Sequence, residues 1–289
     1  MNSNDDFIIN NKYKVLSLIN NGSFGLIYKG IHIKNNDYIA IKIENNNNNN
    51  NMKMLKRETT VLKYLYEHNC RYIPTIFWFG IVNNFSTLVM TYYDCSLKEF
   101  IIDNECDTTI LNNIMMKCIN IMKSIHNNFV IHRDIKPQNF MIKSGEVFLI
   151  DFGLAYFFIN DENYHIANKE NKQITGSPNY ISYNIHNGDS PSRRDDLISL
   201  SYIYIYLHKK SLPWESISVD INEELSELYI LNSVNQLRKH YKHINNILPY
   251  VNNINSNISL FIEKIYLLDY SEKPNYDYLC SIFAITKVS

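Results

Sequence analysis

VIHRDIKPQNFMI, residues 130–142, is the stretch on which the reading of the whole chain turns. Its ends are apolar and β-prone and its middle is polar, so it reads as a loop held between buried flanks. Loops on rigid scaffolds are favoured places for chemistry. Asp134 can accept a proton, Lys136 carries a fixed positive charge, and Asn139 offers an amide oxygen to a cation. Such a set suits phosphate transfer if the rest of the chain supplies the other parts.

Downstream, the short strands NFMI and EVFLI flank the turn KSG, and IDFGLA follows directly. Asp151 at a strand end can ligate Mg²⁺, a hard cation that prefers carboxylate and phosphate oxygens. A plain β-turn opened by Asp reads the same string without function. Upstream, NNGSFGLIY sets Gly22 and Gly25 between two β-rich runs. Paired glycines let a backbone approach a phosphate closely, although an ordinary hairpin has the same look. Gly22, Ser23, Phe24 and Gly25 precede a strand rather than a helix, which excludes the Walker A and Rossmann patterns. Lys42 alternates with Ile41 and Ile43 in IAIKIE. It is either an edge-strand lysine reaching water or a buried ammonium that needs an acid. Glu58, expected to face inward without Lys56, Arg57 or Thr59, is the candidate acid.

The first ninety residues read as strands with one helix, MKMLKRETTVLKYLYEH, and the remainder as mainly helical. TTILNNIMMKCINIMKSIHNN carries Ile110, Ile114, Cys118, Ile121, Met122 and Ile125 on one face, with Thr108 or Thr109 as the expected cap. RRDDLISLSYIYIYLHKK reads as a buried helix closed by SLPW. This order gives an α+β protein with a small β-rich N-terminal lobe at 1–91 and a larger, mostly helical C-terminal lobe at 92–289. The run Asn45 to Asn51 is expected to be a flexible surface loop.

With 289 residues and a net charge of −1, nothing pulls the chain globally toward nucleic acid or membrane. No apolar run has transmembrane length and the N-terminus lacks a signal-peptide layout, so a cytoplasmic or nuclear location is expected. Five cysteines without a Cys-x-x-Cys pair suggest reduced thiols and no zinc site. The abundance of Asn, Ile, Tyr and Lys reads as compositional drift.

In order and spacing, the glycine turn, Lys42, Glu58, His132-Arg133-Asp134 with Asn139, and Asp151-Phe152-Gly153 resemble the protein kinases. GSPNYISYN, SRRDDLISL, IPTIFWFG and KPNYDYLCSIF are similar to the casein kinase 1 group, over about Tyr13 to Phe283. The resemblance implies a bilobal kinase fold that uses ATP with Mg²⁺ or Mn²⁺ and phosphorylates Ser or Thr hydroxyls of proteins, with acidic or phosphorylated segments among the substrates. It implies a monomer that works without activation-loop phosphorylation. Asp134 would orient and deprotonate the acceptor, Lys136 neutralise the moving phosphoryl group, and Asn139 and Asp151 hold the metal. Ile19, Gly22, Ser23, Phe24, Gly25, Ile27, Ala40, Lys42, Glu58, Met90, Thr91 and Tyr93 would surround the nucleotide, with Met90 as gatekeeper and Thr91–Tyr93 as hinge. Asp196 would brace the catalytic loop, and Ser177 would contact Asp134 and Lys136. The chain departs from the group at Asn20, Gln138, Ser201, Tyr156, Phe157 and Asn179; the last three replace cations thought to bind acidic substrate segments. Arg133 and Lys172 remain as cations. A nucleotide-binding scaffold without turnover, or a small-molecule kinase, are the alternative readings.

Overall fold

The computed structural model describes residues 7–22, 25–46, 52–170, 174–217 and 227–284. Ser23, Phe24, Lys172 and the asparagines at 47–51 lie outside the described residues. The elements run, in chain order, β1 (Ile8–Ile9), β2 (Tyr13–Gly22), β3 (Gly25–His32), β4 (Tyr38–Asn45), α1 (Met52–Glu67), β5 (Ile76–Val82), β6 (Phe85–Thr91), β7 (Cys95–Ser96), α2 (Leu97–Asp103), α3 (Thr108–Asn127), β8 (Val130–Ile131), β9 (Phe140–Lys143), β10 (Glu146–Leu149), β11 (Tyr156–Phe157), α4 (Tyr183–His186), α5 (Arg193–Lys209), α6 (Glu227–Lys242), α7 (Ile244–Asn252), α8 (Ser256–Tyr266) and α9 (Tyr276–Ser281). The expected sheet-first, helix-later order holds.

Two compact units emerge. One comprises Met1–Cys95 and Met141–Leu154, the other Ser96–Phe140 and Ala155–Ser289. The segment Met141–Leu154, expected with the second part, packs with the first. The Leu149 N–H donates to the Tyr72 carbonyl at 3.0 Å, and the Phe148 ring stands 5.0 Å from Tyr93. Asp151 reaches Lys42.

In the first unit the strands form one sheet in the order β1-β2-β3-β4-β6-β5. Alternation along β4 divides its side chains between two faces. Ile39 and Ile41 join Ile9, Tyr13 and Val89 in one apolar cluster. Ala40, on the opposite face, joins Leu55 of α1, Leu88 and Met90. The α1 helix therefore lies on the face that carries Ala40, Lys42 and Glu44. The Glu44 carboxylate, buried itself, accepts the Leu55 N–H at 3.1 Å and occupies one donor of the first helical turns.

Asparagine has a structural role here beyond drift. Among the described residues, seven of the twelve non-glycine positions at positive φ are Asn. Asn83 and Asn84, both left-handed, make the two-residue turn between β5 and β6. Asn tolerates that region better than other side chains, which suits a chain with only eight glycines.

In the second unit α5 is the buried axis, with every residue from Asp195 to Leu207 buried. α3 and α8 pack on it, and α9 packs on α3. On α3 the face Ile114, Cys118, Ile121, Met122 and Ile125 is buried as expected, whereas Ile110 is exposed. The cap is Asp107 rather than Thr108 or Thr109: its carboxylate accepts the Ile110 N–H at 2.8 Å. A carboxylate one position earlier meets the same orphan donors and also favours the positive end of the helix dipole. Among the described residues no helix is long and apolar enough to cross a membrane.

Candidate active site

Lys42 occupies the middle of β4, opposite Ile27 of β3 and Leu88 of β6. It is thus a central-strand lysine with 4% exposure, and the edge-strand reading does not apply. Its ammonium lies 2.7 Å from Glu58 of α1 and 2.8 Å from Asp151. Burial alone would lower its pKa; the two carboxylates reverse that and hold it above the ordinary lysine value, so the charge persists. Glu58 does not face inward alone, because Thr59 is buried as well and donates to the Leu55 carbonyl. The buried sector of α1 is wide enough to take both.

Of this trio only Asp151 has appreciable access, with a side chain 23% exposed against 5% for Lys42 and 1% for Glu58. Among the described residues no cluster of three or more His, Cys, Asp or Glu could hold a metal by itself. The accessible carboxylate of Asp151 is the kind of hard oxygen ligand that Mg²⁺ takes one or two of, completing its shell with phosphate and water.

The other expected nucleotide residues sit on or beside the same sheet. Ala40 pairs with Met90 and shares the Lys42 face. Ile27 pairs with Asn20, and Ile19 falls at a bulge in β2, half exposed. Gly22 pairs with Gly25, so the strands run into the turn further than its sequence suggests. Gly25 has φ of +119°, and a Cβ there would collide with the Ile43 carbonyl, so only glycine fits. The Thr91 N–H is committed to the Thr75 carbonyl at 3.0 Å. Tyr93 is buried beside Phe148.

The second unit assembles the other set. Asp134 is 4% exposed and receives four donors. Its Oδ1 accepts the Ser177 N–H at 3.0 Å and the Ser177 hydroxyl at 2.7 Å. Its Oδ2 accepts Lys136 Nζ at 2.6 Å and Asn139 Nδ2 at 3.1 Å. The Asn139 amide also donates to the Asp134 carbonyl at 2.8 Å, which leaves its oxygen as the atom for a cation. Lys136 Nζ lies 3.2 Å from the Ser177 hydroxyl. Four donors fix one rotamer of this carboxylate.

Beneath this loop the Asp196 carboxylate of α5 accepts the His132 N–H at 2.8 Å and the Arg133 N–H at 3.0 Å. These bonds hold Arg133 at φ of +68°, a region disfavoured for a residue with a side chain. Burial would raise the Asp196 pKa, but the bond and charge of His126 and the neighbouring His132 keep it below the usual value. His126 lies 3.0 Å from Asp196 through Nε2 and 2.7 Å from the Tyr276 hydroxyl through Nδ1. Burial depresses its pKa, while the bond and charge of Asp196 work the other way. Neither His126 nor Tyr276 was expected. The available signal was a histidine four residues after Met122, on the apolar face of α3.

Residues 13–282 match the family model of the protein kinase domain.

Proposed function

The chain belongs to the protein kinase domain family, and from that membership we propose that it is a serine/threonine kinase of the casein kinase 1 kind. Its β-rich first part and helical remainder are those of the kinase fold. The observation that carries the reading is Lys42, kept charged between Glu58 and Asp151 in the middle of a buried sheet. An ammonium so placed has one evident use, the binding of phosphate oxygens.

When bound, ATP with Mg²⁺ supplies the transferable phosphoryl group and much of the charge neutralisation. Lys42 binds and orients phosphate oxygens, and Asp151 and the Asn139 oxygen serve as cation ligands. Asp134 aligns the acceptor hydroxyl and receives its proton on a carboxylate oxygen. Lys136, already paired with that carboxylate, offsets charge on the transferred group. The lysine at 136 supports serine or threonine as acceptor, by resemblance. The substrates are proteins met in the cytoplasm or nucleus by a monomer, with ATP and no nucleic acid or membrane as partner.

Purified protein given radiolabelled ATP and a casein-type acceptor should transfer label, and Asp151→Ala should abolish it. Absence of labelling of any acceptor, itself included, counts against the reading. Asn20 in the place of a glycine favours a second reading, a kinase-fold scaffold. That reading is supported if nucleotide raises the melting temperature without any transfer.

A further inference from the structure

The segment from Gly176 to Ile181 has no regular secondary structure, yet its backbone is held at nearly every position. The Tyr180 and Ile181 N–H groups donate back to the Ser177 carbonyl at 2.8 and 3.0 Å. The carbonyls of Pro178, Asn179 and Ile181 are taken by two side chains distant in sequence. Lys242 Nζ donates to Pro178 at 2.8 Å and to Ile181 at 2.7 Å. Trp214 Nε1 donates to Asn179 at 2.7 Å.

Lys242, the last residue of α6, is fully buried. His186 Nε2 lies 3.2 Å from the same Nζ, so the polar contacts of this amine are to neutral groups and none is to a carboxylate. The rings of Tyr202 and Trp214 flank it, with centroids 5.1 and 5.2 Å from Nζ. Its own carbonyl accepts the Tyr266 hydroxyl at 2.9 Å, which fixes the stem. Burial and the nearby Lys242 hold the His186 pKa well below the ordinary histidine value. A buried lysine without a carboxylate is costly unless its geometry is needed. What it holds is the segment that begins with Ser177, whose N–H and hydroxyl both bind Asp134.

We propose that Lys242, with Trp214, is a positioning residue that clamps the backbone after Ser177 and so sets how the acceptor hydroxyl is presented to Asp134. This deepens the kinase reading and rests on it. Lys242 touches neither substrate nor Asp134 and acts through Ser177.

The test compares unsubstituted protein with Lys242→Met, Lys242→Arg and Trp214→Phe, the last removing a single hydrogen bond while keeping a ring. Initial rates with a peptide acceptor give separate KM values for peptide and ATP, and hydrogen exchange reads the Tyr180 and Ile181 amides. Lys242→Met should raise the peptide KM tenfold or more with the ATP KM within twofold, and speed exchange at both amides. Lys242→Arg should recover part of the loss, and Trp214→Phe should shift the peptide KM by a smaller factor in the same direction. Adding Ser177→Ala to Lys242→Met should cost less than the two losses combined. An unchanged peptide KM, or both KM values and the melting temperature moving together, overturns the clamp. If the unsubstituted protein transfers no phosphate, the kinase reading fails, and the clamp then fails separately if exchange at the two amides is unaltered by Lys242→Met.

Discussion

Among the described residues two lysines are almost wholly buried, and their surroundings are opposites. Lys42 lies between two carboxylates that keep its pKa above the ordinary value. Lys242 meets carbonyls, an imidazole and two aromatic faces, and burial together with nearby Arg238 pushes its pKa well down. In the first case the surroundings preserve the charge of the ammonium. In the second the donors are consumed by the backbone, and what the protein gains is shape. Burial of the same side chain therefore keeps a charged pair-former in one unit and commits the donors to backbone carbonyls in the other.

On the proposed function, the largest expected effect comes from Asp134, the proton acceptor. Asp134→Asn should lower kcat by about 10²–10⁴-fold, with nucleotide affinity by calorimetry unchanged. Lys42→Met should follow, at about 3 kcal/mol of lost transition-state stabilisation, or a hundredfold or more in kcat/KM. It also leaves Glu58 and Asp151 without their cation, a loss of about 3–5 kcal/mol in stability. The sign with pH is fixed. Burial already raises the Glu58 pKa with the ammonium present, and losing Lys42 raises it further, so the deficit should grow as pH rises and shrink toward pH 5 in denaturant titrations. A deficit independent of pH would break the contrast on the Lys42 side.

On the Lys242 side the reporter is His186, whose pKa is lowered to about 3 by burial, by Lys242 and, more weakly, by Arg238 and Lys239. A histidine depressed in the folded state stabilises fully above its unfolded pKa of about 6.5 and loses that contribution as pH falls. Stability should therefore decline below pH 6.5 by up to about 1.4 kcal/mol per pH unit for each such ring. His126 adds to the decline, since burial depresses it too. His186→Gln should remove one share of the slope, readable in melts from pH 7 to pH 4. The smallest change expected is Asp107→Ala, which should destabilise by about 1 kcal/mol through loss of the α3 cap.

The sequence told more about the Lys42 side than the Lys242 side, for a physical reason. Lys42 stands in an alternating strand and Glu58 in a helix of clear period, so local pattern offered the two as a pair while leaving open whether Lys42 reached water. Asp134, Lys136 and Asn139 lie within six residues of one another, and a single loop brings them together. Lys242 binds carbonyls 61 and 64 residues away. Every residue has a carbonyl, so no side-chain pattern marks which one a lysine will find, and a lysine in a last helical turn looks like a solvated charge. His126 and Tyr276, 150 residues apart, were hidden in the same way. The α3 cap shifted by one position because Asp107 and Thr108 are both good caps, and only backbone angles decide between them. Asn83 and Asn84 looked like drift because side-chain identity does not reveal φ.

The left-handed backbone at Arg133 has a consequence for anyone who tries to toughen this molecule. Its own amide and that of His132 are gripped by Asp196, so the chain tolerates there a conformation that Asn would adopt more readily. A heat-resistance screen scored on solubility alone should accordingly drift toward Asn at position 133. It would discard the guanidinium that lies over the Tyr156 ring, and whatever that cation contributes to substrate choice would vanish unnoticed.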